Sequence, residues 1–318
     1  MLAGSKTPQL ARLQQGLRGQ AFAQAVQVIV RLVEVPLVLG FWGTQLYGEW
    51  LMVTAIPSYL AMGDGGFAGS ASREMAIRVG GGDRDGALVV FRSVWLLLLA
   101  LSVVLALIAG AAIWTLPVGQ LLGIRSIDGT ALSFVLLLLV VYVLVGFQAG
   151  LTNGGFWCEG QYGTGMLLSA IAQLLEFSGF AAAVILGGGP ILAATGLLAG
   201  RVTGLLIMRF GLYKATPWLR YGWRGASRRE ILRLATPSLA SLAFPLGNAF
   251  NIQGMRLAVG LAMGPTAVVV FSSIRTLSRL ATQATTMISR LVEPEIPHLH
   301  VMKVEGARHL GRILRQWN

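Results

Sequence analysis

The run SVWLLLLALSVVLALIAGAAIW (Ser93–Trp114) holds no ionisable side chain over 22 residues. As a helix rising about 1.5 Å per residue, it is long enough to cross the ~30 Å hydrocarbon core of a bilayer. In that medium each backbone N–H and C=O must be satisfied within its own segment, which a helix achieves alone. ALSFVLLLLVVYVLVGF (Ala131–Phe147) repeats the pattern. Two such runs predict an all-α, polytopic membrane protein. Composition agrees: 12% of the 318 residues are charged and mean hydropathy is +0.69, against about 25% charged in soluble domains.

Working outward, eight spans are predicted, at Gln20–Phe41, Tyr47–Gly63, Phe91–Ile113, Thr130–Leu151, Gly165–Leu186, Ile191–Gly211, Leu234–Met263 and Thr266–Val292. The first is too long for a signal-peptide core and is expected to be retained. Basic residues fall at alternate ends. Lys6, Arg12 and Arg18 precede span one, while Arg73, Arg78, Arg84 and Arg92 follow span two. Arg209, Lys214, Arg220, Arg224, Arg228, Arg229 and Arg233 surround the link after span six, and Lys303, Arg308, Arg312 and Arg315 follow span eight. Only Arg125 and Arg256 are assigned to the opposite links. The positive-inside bias then places both termini in the cytoplasm. The net charge of +12 reflects those loops, with no nucleic-acid partner. Cys158 is the sole cysteine and a native thiol probe near the end of span four. His298, His300 and His309 crowd the C-terminus, so neither a metal site nor a cofactor is expected.

Several spans carry polar stripes. At 100° per residue, Gln20, Gln24, Gln27, Arg31 and Glu34 share one sector of span one, and Arg31 and Glu34 can partly neutralise each other. Arg275, Arg279 and Arg290 share one face of span eight, beside Thr282, Gln283 and Thr286. Span seven adds Ser241, Asn248 and Asn251, and span five Ser169, Gln173 and Glu176. A charge at mid-bilayer costs about 2.5–3.5 kcal/mol, so such faces must meet protein or a watery cavity. Arg201 of span six is expected to pair with Glu176. Pro36, Pro57, Pro237 and Pro245 lie in or beside spans and predict kinks. Asp64-Gly65-Gly66 is expected to stop the helix after span two; its aspartate is either solvated or an ion site.

Two stretches are read either as an internal repeat or as two unrelated helical hairpins. GTQLYGEWLMVTAIPSYL (Gly43–Leu60) is similar to GPTAVVVFSSIRTLSRLA (Gly264–Ala281), as in transporters built from two parallel halves.

LYGEWLMVTAIPSYLAMGDGGFAGSASREMA (Leu46–Ala76) resembles the second-helix region of bacterial polysaccharide-export flippases. These are the O-antigen and teichoic-acid members of the superfamily that includes the multidrug and toxin extrusion (MATE) antiporters. The matching features are the Tyr47-Gly48-Glu49-Trp50 turn, the Asp64-x-Gly66 break and the small-residue run into Arg73. GGGDRDGALVVFRS (Gly80–Ser93) and ILRLATPSLASLAF (Ile231–Phe244) resemble the family's following loop and the start of its second half. The resemblance implies a MATE-like fold with a six-helix lobe at 1–213, a basic linker at 214–233 and part of a second lobe at 234–318. It implies a central cationic cavity for an undecaprenyl-pyrophosphate-linked oligosaccharide. The expected substrate contacts are Arg31, Arg275, Arg279, Gln27, Asn248 and Asn251, with Glu34, Asp64 and Glu176 as ion- or proton-coupling groups. Implied partners are the anionic lipid-linked substrate, membrane lipids and a polysaccharide polymerase or glycosyltransferases. Family members have at least twelve helices, so a chain ending after about eight, with KVEGARHLGRILRQWN (Lys303–Asn318) as a basic lead-in, is expected to be a fragment or natural truncation.

Three other readings compete. A MATE-like drug or cation antiporter should have an acidic cavity, which the arginine stripe opposes. A membrane enzyme finds only Asp83-x-Asp85 as a nucleotide-sugar motif, and no phosphate-binding G-x-x-x-x-G-K-[ST] loop exists; a non-enzyme is expected. A non-transporting scaffold of an export complex is the third.

Overall fold

A computed structural model describes residues 6–292, with side chains described for 19–242 and 245–279. The described residues are mostly helical, without a strand: α1 (Lys6–Leu60), a 3-10 turn (Ala61–Asp64), α2 (Phe67–Gly80), α3 (Arg84–Thr115), α4 (Val118–Leu122), α5 (Gly129–Cys158), α6 (Tyr162–Ile185), α7 (Pro190–Ala215), α8 (Arg228–Ala249), a π turn (Phe250–Gly254), α9 (Met255–Met263) and α10 (Pro265–Val292). Five helical stretches are long and apolar enough to cross a membrane, the first being Gly19–Gly80. This is a multi-pass membrane protein. None of the five begins after Ala215 among the described residues.

The 62-residue first stretch contains two legs, because α1 breaks at Gly43 (φ 68°, ψ −179°). The start of the first leg abuts the start of α6, Gly19 against Gly163, and its end meets the end of α6, where Trp42 Nε1 donates to Gly188 O at 3.2 Å. The second leg instead runs alongside α5: Gly63 packs near Phe147, Ala68 near Gly150 and Ser72 against Gly154. Since α5 and α6 are joined by a tight turn and run oppositely, the chain reverses at Gly43. Only glycine occupies that backbone region readily.

Two expectations are corrected here. Tyr47-Gly48-Glu49-Trp50 is helical, and the turn lies four residues earlier. The second leg does not end at Gly63. The Asp64 break is bridged, because Gly65 and Gly66 adopt left-handed φ of 62° and 73° and restart the helix as α2. Asp64 Oδ1 accepts from Gly66 N at 3.1 Å, supplying the restart with a local cap. Arg73 and Arg78 therefore stand on α2 and not in a loop.

Small residues let helices approach closely where the hydrophobic effect offers no drive between them. The seam between α6 and α7 is built this way. Gly179 meets Gly196, Gly200 meets Leu175 and Glu176, and Gly204 meets Ala172; a Cβ at Gly200 would lie 2.5 Å from the Leu175 carbonyl oxygen. Leg seven, α8 through α9 (Arg228–Met263), runs antiparallel along the second leg. Glu230 bonds Arg78 at one end, Gly66 packs on Ser238 and Ser241, and Gly260 packs on Met52 toward the other. The described residues 272–292 belong to a second compact unit. Within it Thr276 and Ser278 return their hydroxyls to Ser272 O and Ile274 O.

Candidate functional site

A cavity of about 290 Å³ opens among the first two legs, α5, α6, α7 and the start of α9. Its polar lining comes from Glu34, Thr54, Ser58, Tyr142, Gln173, Glu176 and Arg256; Trp50, Phe177 and Phe180 form apolar wall. Polar residues on these helices converge here because the alternative is hydrocarbon.

One wall is an electrostatically closed triad. Arg201 Nε lies 3.0 Å from Glu176 Oε1, and Tyr142 Oη donates to Glu176 Oε2 at 2.8 Å. The Arg201 guanidinium stacks 4.2 Å from the Tyr142 ring centroid. The triad ties α5, α6 and α7 together, and Gly146 leaves space beside Arg201. The pairing of Arg201 with Glu176 expected from sequence is present.

The Glu34 carboxylate feels the positive charge of both Arg256 and Arg31, without direct contact to the latter. Arg31 and Glu34 form no ion pair within 4.0 Å among the described residues, and Glu34 faces a cavity that Arg256 also lines. The i,i+3 spacing permits a contact, but tertiary packing offers Glu34 another cationic environment. Arg256, assigned from sequence to an outer link, belongs to leg seven. It follows the π turn at Phe250–Gly254, and its Nη1 donates to Gln253 Oε1 at 3.3 Å. A π turn adds a residue to a helical turn and rotates the residues after it, a placement that apolar periodicity does not disclose.

The other expected site residues up to Phe271 lie outside the cavity lining. Gln27 and Arg31 are half-buried on the first leg and do not line the cavity. Asn248 and Asn251 are exposed, on either side of the start of the π turn. Asp64 caps Gly66, away from the cavity lining. Arg275 and Arg279 are half-buried, one turn apart on α10. The side chains of Thr282, Gln283, Thr286 and Arg290, the three histidines and the C-terminal lead-in lie outside the described residues.

Glu49 is a buried acidic group whose role the sequence did not disclose. It is fully enclosed and accepts from Gln45 Nε2 (2.9 Å), Arg125 N (3.2 Å), Ser126 N (2.9 Å) and Ser126 Oγ (3.0 Å). It holds the loop before α5 to the second leg. Cys158 is also buried, its Sγ 3.1 Å from Gly155 O, and so is a poor native probe.

The legs, their reversals and the intramembrane polar groups define an all-α multi-pass membrane protein with the MATE-transporter fold. The chain is similar to an outward-facing multidrug-resistance MATE transporter of the MOP superfamily, at 22% identity and a TM-score of 0.65, over 85% of this chain and 60% of that one. It is similar to an inward-facing form at 22% identity and TM-score 0.60, over 80% and 61%. A third similar structure is a MOP-superfamily transporter from Pyrococcus furiosus described as having a binding pocket of reverse polarity (22% identity, TM-score 0.64, 85% and 60%). The chain thus spans about three fifths of the length of these transporters. No family model and no curated protein sequence matches it.

Proposed function

We propose that this chain forms the first eight membrane legs of a transporter that carries an undecaprenyl-pyrophosphate-linked oligosaccharide from the cytoplasmic to the periplasmic leaflet. The observation that carries this reading is the charge on legs one, seven and eight. Between residues 19–42, 234–263 and 265–279 stand Arg31, Arg256, Arg275 and Arg279 against one carboxylate, Glu34. A surplus of intramembrane guanidinium suits a pyrophosphate, which accepts charge-assisted, bidentate hydrogen bonds, and repels a cationic drug. In this reading residues 1–213 form the first lobe, 214–233 a cytoplasmic linker and 234–318 the start of the second lobe, in the inner membrane with both termini cytoplasmic. Glu34 is the carboxylate available for coupling, since Arg201 and Tyr142 already engage Glu176.

A MATE-like cation antiporter is the second reading, favoured by the presence of both Glu34 and Glu176 in the cavity lining. Export assays on the complete gene product, in a strain lacking its own flippase, separate the two. Arg275→Ala is expected to abolish glycan export at unchanged membrane abundance, and Arg275→Lys to keep part of it. Arg290→Ala, on the last helical turn, is expected to be nearly silent. Normal export by Arg275→Ala defeats the cationic-cavity reading. Ethidium efflux that requires Glu34, without glycan export, establishes the antiporter.

A further inference from the structure

The segment between α7 and α8 is a strap laid across one end of the fold and pinned from beneath. Thr216 and Leu219 are 1% and 2% exposed. Trp218 Nε1 donates to Glu159 at 2.7 Å, and the Tyr221 hydroxyl lies 2.8 Å from Thr152 Oγ1. Arg92 of α3 donates from Nε to Arg220 O (3.0 Å) and from Nη1 to Arg224 O (2.9 Å), and Ser227 N donates to Ser93 Oγ (2.7 Å). The strap is thus ordered along its length.

Its outer side is cationic and aromatic. Arg220 and Arg224 are exposed, and Trp223 between them is 75% exposed. Arg228 and Arg229 continue the face onto α8, and Lys214 extends it back onto α7. The one carboxylate within residues 209–233 is Glu230, and it is turned toward Arg78 at 2.7 Å. A solvated charge cluster explains the arginines but not the indole. An indole with most of its surface uncovered is poorly placed in water, and at headgroup depth its ring and its N–H are both satisfied. The strap follows directly on a candidate span ending at Ala215, which sets it at the membrane surface.

We infer that the outer face of this strap, centred on Arg220, Trp223 and Arg224, is a binding site for anionic phospholipid headgroups of the adjoining leaflet. Basic side chains next to a span are drawn to an anionic leaflet, and the attraction weakens with salt. Arg92 is the positioning residue: it fixes the backbone that presents the two arginines.

The test is native mass spectrometry of the full chain from micelles containing phosphatidylglycerol and phosphatidylcholine. Wild type is expected to retain phosphatidylglycerol preferentially, less so as salt rises. Arg220→Ala/Arg224→Ala is expected to lower that occupancy by about tenfold, while Arg220→Lys/Arg224→Lys retains most of it. Arg73→Ala/Arg125→Ala removes the same charge at exposed positions outside the strap and is expected to leave occupancy within about twofold of wild type. A nitroxide on Trp223→Cys, in a Cys158→Ser background, should report headgroup depth in phosphatidylglycerol vesicles. Equal loss in both alanine pairs, equal retention of the two lipids, or a nitroxide fully exposed to water overturns the inference. The last outcome points to a soluble acidic partner.

Discussion

Glu49 and Glu176 solve the same problem, a carboxylate inside a membrane fold, by different chemistry. Glu49 is held by uncharged hydrogen-bond donors, three from one loop and one from Gln45. Hydrogen bonds to a charged group are worth about 1.5–3 kcal/mol each, and loss of the acceptor also strands buried donors. Glu49→Ala is therefore expected to cost at least about 3 kcal/mol, read as a drop in thermal stability in detergent, with Glu49→Gln intermediate. Glu176 is neutralised by a counter-charge. Arg201→Leu leaves a buried carboxylate unpaired, at about 3–5 kcal/mol, whereas Arg201→Leu/Glu176→Leu removes both charges and is expected to recover most of the loss. Equal destabilisation by the single and double variants would show that packing, and not charge, holds α6 to α7.

At the scale of elements, two glycines share one backbone conformation. Gly43 has φ 68° and ψ −179°, and Gly264 has φ 87° and ψ 171°. They are the first residues of the two similar sequences read as an internal repeat, so the repeat extends to backbone conformation. Alanine at either position is strained by about 1–3 kcal/mol, and each substitution should lower the unfolding midpoint similarly. The α6–α7 seam has a different sensitivity, because contact and not conformation is limiting. Gly200→Leu would drive a side chain into the backbone of Leu175 and Glu176 and should prevent stable folding, seen as loss of a monodisperse peak in size-exclusion chromatography. Gly110→Leu, in the middle of a span but with nothing within 4 Å of its Cβ position, should behave as wild type.

Across the whole molecule, one end of the described fold is cationic. Arg78 bridges Glu74 and Glu230 at 2.8 and 2.7 Å, Arg233 reaches Glu74 at 3.1 Å, and Arg84 reaches Glu159 at 3.1 Å. The opposite end holds Gly43, the loop of Arg125 and Ser126, and Gly264. This separation makes a topological prediction. In a Cys158→Ser background, Thr44→Cys and Arg125→Cys should react with an impermeant thiol reagent from outside intact cells, and Arg84→Cys and Arg224→Cys should not. The opposite labelling pattern would invert the protein in the membrane.

Charge-free runs such as Ser93–Trp114 determined the class of fold by themselves, because hydrocarbon allows an isolated segment no other way to satisfy its backbone. Loop charge likewise foretold that the links after spans two and six share an end, where Arg78 meets Glu230 and Arg92 meets Arg220; the close seam of small residues between α6 and α7 was not read from the sequence. The arrangement around the cavity was decided by tertiary structure. Glu34 had two arginines within reach of plausible partnership, Arg31 by helical spacing and Arg256 by nothing visible in sequence. The reversal at Gly43 and the π turn at Phe250–Gly254 set which side chains meet, and both are backbone events without an apolar period. Asp64-Gly65-Gly66 shows the limit most plainly: locally it is a helix stop, and only the pairing of α2 with α5 and leg seven makes it a joint within one long leg. Periodicity reports which face of a helix avoids lipid; contact between helices determines what that face meets.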